Sequence, residues 1–129
     1  MLEKLMNGII EKIRELKIFT QLEPYEGQFD DIDNYLIVPP SCFIEFSGGR
    51  PENQLKEKHI VNFDLYIITN HVKGKLNIPM LNIIDQIKDY LNKKRIASSG
   101  EVEYTAFDRM AIFPGLCSYR MSFVFKQDL

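Results

Sequence analysis

From Leu116 to Lys126 the chain alternates. Cys117, Tyr119, Met121, Phe123 and Phe125 fall on one side, and Ser118, Arg120, Ser122 and Lys126 on the other. A period of two belongs to an extended strand, whose successive side chains point to opposite faces. One apolar and one polar side predict a sheet covered on one face only. His59 to Thr69 repeats the pattern: Val61, Phe63, Leu65 and Ile67 alternate with Asn62, Asp64, Tyr66 and Ile68. Ser41 to Ser47 reads as a third strand, with Cys42, Ile44 and Phe46 on one face and Phe43 and Glu45 on the other.

The segment Gly48-Gly49-Arg50-Pro51 reads as a break, and residues 50–58 are polar. The strands on either side then form an antiparallel hairpin with a long tip at 47–58. Val102 to Phe113 alternates in part and turns at Pro114-Gly115 into the last strand, giving a second hairpin. Ile18 to Leu22 is a short strand by composition. Tyr35 to Val38 reads as a short edge strand ended by Pro39-Pro40. Between them, Glu23 to Asn34 is acidic and reads as an exposed loop.

Two segments keep helical spacing. Over 2–17, Leu2, Leu5, Met6, Ile9, Ile13 and Leu16 form one apolar stripe. In the second, Asn77 caps and Pro79 sits in the first turn, where its missing N–H needs no partner. Leu81, Ile84, Ile87, Lys88 and Leu91 line its stripe, and Asn92-Lys93-Lys94-Arg95 ends it with cations suited to a helix C-terminus. The predicted order is therefore α-β-β-β-α-β-β. It is an α+β fold with both helices packed on an antiparallel or mixed sheet.

With 129 residues, 1–129 fits one domain. A net charge of −2 supplies no global positive field for a polyanion, so sequence-specific nucleic-acid recognition is not expected. The cations Lys88, Lys93, Lys94 and Arg95 cluster at one helix end, where the helix dipole explains them without a ligand, and Lys73 and Lys75 lie in the preceding linker. No apolar run approaches the ~20 residues that span a bilayer. The first residues, Met-Leu-Glu-Lys-Leu, do not resemble a signal peptide. The expected location is the bacterial cytoplasm, or a particle assembled there.

Catalytic spacings are missing. His59 and His71 fit no metal motif, and Cys42 and Cys117 sit in apolar runs as two reduced core thiols. Ser47-Gly48-Gly49 precedes a polar stretch and no helix, so it lacks the helix N-terminus a phosphate cradle needs. No cofactor is expected. Glu45 and Asp64 are the one pair left for chemistry: in a suitable register they share a face, where with a lysine they could hold Mg²⁺ for phosphodiester cleavage. The candidate protein-contact residues are Asp30, Asp31 and Asp33 in the acidic loop, and Arg50, Asn53, Lys56 and Lys58 in the hairpin tip. Long loops in a small domain often carry function.

The element order, with Phe43-Ile44-Glu45-Phe46, Val61-Asn62-Phe63-Asp64-Leu65-Tyr66-Ile67 and the closing run Gly115 to Phe125, resembles small phage tail-terminator proteins, in particular the Mu-like prophage minor tail family. The resemblance lies in size, order and pattern over nearly the whole chain. It implies a non-enzymatic structural protein that forms a ring homo-oligomer, a hexamer in that family. Such a ring caps the tail tube, faces the head connector and becomes part of the virion tail. Two other readings stay open on the residues: a small metal-dependent nuclease using Glu45 and Asp64, and a monomeric protein-binding adaptor.

Overall fold

The computed structural model describes residues 2–31, 36–51, 59–70, 78–96, 100–110 and 115–127. Helix α1 (Leu2–Arg14) leads into β1 (Gln21–Pro24), a short 3-10 helix (Gln28–Asp31), β2 (Ser41–Pro51) and β3 (His59–Asn70). Helix α2 (Ile78–Leu91) follows, then β4 (Arg95–Ile96), β5 (Gly100–Met110) and β6 (Leu116–Gln127). The six strands form one mixed sheet in the order β1-β2-β3-β6-β5-β4. Only β1 and β2 run parallel; the other neighbours are antiparallel. The α+β class and the element order match the sequence expectation. The last strand, β6, lies in the middle, against β3 on one side and β5 on the other.

Both helices cover the same face. Leu5, Ile9 and Ile13 of α1 and Met80, Ile84, Ile87 and Leu91 of α2 join Cys42, Ile44, Val61, Phe63, Leu65, Ile67, Met121, Phe123 and Phe125 in one core. One row of this core crosses four strands: Phe46, Phe63, Phe123 and Tyr104 stand at paired positions. Phe63 stacks on Phe123 at 5.2 Å, and Tyr104 meets Phe123 edge-on at 5.7 Å. Offset and edge-on aromatic pairs add about 0.5–1.5 kcal/mol each beyond the area they bury. Beside this row both flanking strands carry an extra residue, Ser47 in β2 and Thr105 in β5, where the pairing register shifts.

Several local expectations change. The pair Gly48-Gly49 does not break the strand; it continues β2 past the Ser47 bulge, pairing with Asn62 and Val61. Arg50 is therefore a strand residue opposite Ile60, not part of a loop. Residues 36–38 form no strand, and the short strand expected at 18–22 lies at Gln21–Pro24. Leu81 is exposed and Met80 takes its place in the α2 stripe. Each helix is followed by a lysine in the left-handed region, Lys17 at φ 56° and Lys93 at φ 64°. This is a conformation that glycine usually supplies at a helix end.

Gly100 marks the tightest approach. A Cβ there would lie 2.4 Å from the Lys126 carbonyl oxygen and 2.5 Å from the Phe125 ring. Gly100 is thus the buried start of β5.

Candidate functional site: the open face of the sheet

Among the described residues, loop side chains cover the face away from the helices at one end. There Phe43 and Ile68 are buried beneath Tyr25, Phe29 and Ile37. Tyr25 and Phe29 lie 4.8 Å apart, and Phe29 meets Phe43 edge-on at 5.3 Å and Tyr66 at 5.5 Å. The acidic segment is accordingly more than a solvated loop. Its two aromatics pin it to the sheet, while Glu26 and Asp30 stay exposed.

Next to this cover lies a polar network built by strand register. Phe43, Tyr66, Arg120 and Asp108 occupy one row across β2, β3, β6 and β5; Glu45, Asp64, Ser122 and Ala106 occupy the next. Tyr66 Oη donates to Glu45 Oε1 at 2.8 Å. Arg120 Nη2 donates to Asp108 Oδ2 at 2.8 Å. Burial raises the Asp64 carboxyl above the usual carboxylate range; a hydrogen bond with Ser122 and the Arg120 charge oppose that shift. Burial, then the bond to Glu45, pushes the Tyr66 phenol up. The bond to Asp108 raises the Arg120 guanidinium further.

Glu45 and Asp64 are therefore brought together as directly paired residues, as the sequence allowed. The cation beside them is Arg120 rather than a lysine. Glu45 is held by a phenol, and a divalent cation would have to share Asp64 with a guanidinium. Among the described residues no three His, Cys, Asp or Glu side chains form a group that could hold a metal ion.

At the far end of the same face, Arg50, Ile60, Asn62, Val124, Lys126 and Glu103 line a shallow groove of about 480 Å³. Lys126 pairs with Glu103 at 3.3 Å. Of the residues singled out for contact, Arg50 lies in this groove and Asp30 lies exposed at the opposite end. Asp31 ends the 3-10 helix. Asp33, Asn53, Lys56 and Lys58 fall outside the described residues, as do His71, Lys73, Lys75 and Asn77. Cys42 and Cys117 are free thiols buried in the helix-side core, and burial raises both. Lys88 sits 5.4 Å from the Tyr104 ring and Lys94 4.3 Å from the Tyr90 ring, so part of the basic cluster is used in packing.

Sequence reasoning missed Tyr66, Arg120 and Asp108 as one row. It also missed the role of Tyr25 and Phe29, although two aromatics four apart in an acidic segment were visible. No helix is long and apolar enough to cross a membrane among the described residues. No protein-family model matches the chain, and no curated protein matches it.

Proposed function

We propose that the chain is a non-enzymatic structural protein of a phage or prophage tail, a terminator that caps the tail tube and joins tail to head as a ring homo-oligomer. The observation that carries this reading is the lopsided sheet. Both helices cover one face, and on the other, among the described residues, Asn62, Asp108 and Lys126 stay exposed beside the half-buried Glu45, Tyr66 and Arg120. The hairpin β2–β3 is long, with strands of 11 and 12 residues. Such surfaces suit assembly, where interfaces mix apolar and polar groups. The element order that resembles tail terminators supports the same reading. The partners are further copies of this chain, the tail tube and the head connector.

Light scattering coupled to size exclusion, repeated after incubation with purified tail tubes, tests it. A ring mass, or tubes capped at one end, is expected. A chain that stays monomeric and leaves tubes uncapped sinks the proposal, and a monomer that instead holds one bacterial protein would favour the adaptor.

One observation favours a second reading: Glu45 and Asp64 are opposed in register, as a small Mg²⁺-dependent nuclease would need. Nicking of supercoiled DNA by the wild type, lost in Glu45→Gln, would establish it. Absent or unaltered cleavage removes it.

A further inference from the structure

Arg120 stands between two carboxyls and serves one of them. Its Nη2 donates to Asp108 Oδ2 on β5. Its Nε–H is buried and, among the described residues, has no acceptor. Asp64 lies on the other side, on β3. The register pairs Asp64 with Ser122 and Tyr66 with Arg120, so Asp64 and Arg120 are diagonal neighbours on one face of the sheet. A diagonal of this kind, about 7–8 Å, is within reach of a long side chain.

The surroundings of Asp64 decide what its ionisation requires. Asp64 is 8 % exposed and directly faces Glu45 on β2, which accepts from the Tyr66 hydroxyl. Ser122 bonds to the Asp64 side chain, and Arg120 and Asp108 are the other charges that act on it. On the covering segment Tyr25 lies against Tyr66, and Asp30 and Glu45 act on Tyr25. Arg120 is the one cation among these groups; the others are carboxyls, phenols and a hydroxyl.

A protonated Asp64 needs no cation, which leaves Arg120 to Asp108. An ionised Asp64 is a nearly buried charge opposite a second carboxylate, and such a charge is costly unless a cation pairs with it. Asp108 is the easier carboxylate to abandon. Its side chain is 53 % exposed, water solvates it, and an exposed ion pair contributes little. The guanidinium therefore gains more at Asp64 than it gives up at Asp108, and its buried Nε–H acquires the acceptor it lacks.

We infer that Arg120 is a proton-controlled switch, paired with Asp108 while Asp64 is protonated and turned to Asp64 when that carboxyl ionises. One proton passes from Asp64 to solvent, and only hydrogen bonds change partners. A buried event is thereby reported at the surface: the proton leaves Asp64, and the unpaired negative charge appears at the exposed Asp108 on β5. The charge that this face offers a partner then depends on pH, whether or not the chain forms a ring. Burial raises the Asp64 carboxyl, so the turn falls above the ordinary carboxylate range.

NMR of the full chain over a pH series tests this. The signals are the Arg120 Nε–H, identified by its loss in Arg120→Lys, and the carboxyl carbons of Asp64 and Asp108. In the wild type the Arg120 signal is expected to move with the Asp64 carboxyl at one shared midpoint, with a second step in the Asp108 carboxyl at the same pH. In Asp64→Asn the Arg120 and Asp108 signals stay flat through that midpoint. In Asp108→Asn the guanidinium has no competing partner, and the Asp64 midpoint falls. An Arg120 signal that is flat while Asp64 titrates, or that moves equally in Asp64→Asn, overturns the switch. So does an Asp64 midpoint unchanged by Asp108→Asn, or an Asp64 carboxyl that does not titrate while the chain is folded. The wild-type series alone decides if a variant fails to fold.

Discussion

Glu45 and Asp64 stand directly opposite each other on β2 and β3, yet they are treated differently. Tyr66 donates a hydrogen bond to Glu45, whereas Asp64 is 92 % buried and its carboxyl is held in the protonated direction by that burial. A native carboxyl that binds its proton more tightly than the unfolded chain does costs stability as pH rises between the ordinary and the raised pKa, and above both the cost is complete. Asp64→Asn is therefore expected to be more stable than wild type at neutral pH, with the difference shrinking as pH falls through the carboxylate range. Urea midpoints across a pH series measure it. A gain that grows toward acid would show that the Arg120 and Ser122 interactions, not burial, dominate at this carboxyl.

Gly100→Ala places a methyl against a backbone carbonyl and the Phe125 ring. Neither moves without shifting β6. The expected loss is about 3 kcal/mol, the upper part of the usual range for overpacking. Denaturant unfolding measures it, and near-neutral behaviour would mean that the start of β5 is displaced from this register.

Lys93→Gly works in the opposite direction. A left-handed conformation costs an L-residue roughly 1–2 kcal/mol, and glycine returns part of that gain as unfolded-chain entropy. A net stabilisation of about 0.5–1 kcal/mol is expected, because the Lys93 N–H to Val102 bond is retained. Thermal unfolding of the variant against wild type checks the sign.

Phe63 and Phe107 give the sharpest contrast between two aromatics. Phe63→Ala empties the centre of the aromatic row and is expected to cost about 3–5 kcal/mol. Phe107→Ala, at an exposed edge, is expected to stay within about 0.5 kcal/mol in the monomer. Similar losses at both sites would place Phe107 in the folding core rather than on a contact surface.

The two-residue period of β3 and β6 was legible because in each an apolar face packed under the helices alternates with a face carrying polar side chains, and the helical stripes were legible through a similar contrast. Their pairing in the middle of the sheet was not, since local pattern says nothing about which strands meet. The pair β4, Arg95 and Ile96, is too short to show any period. Gly48-Gly49 misled because glycine signals a turn and a bulged strand equally well, and only the partner strand decides between them. At the site, Glu45 and Asp64 were visible as a pair because they lie on strands joined in one hairpin. Arg120 and Asp108 come from the second hairpin, so their row with Tyr66 depends on the β3–β6 register, which no local feature encodes. Leu81 and Met80 were exchanged because both fit an apolar stripe, and the angle at which α2 lies on the sheet decides which is buried.

The extra residues at Ser47 and Thr105 flank the same aromatic row, one on each side of the central pair of strands. A bulge bends its strand and increases the local twist, so the sheet is creased twice along a line that its stiffest side chains reinforce. In mechanical terms this is a hinge line locked shut. The half of the sheet carrying the Arg50 groove is set at a fixed angle to the half carrying Tyr66 and Phe43. In the proposed ring, a bent plate of this kind would turn the assembly by the same angle at every step, and the curvature of one chain would set how many copies complete a circle.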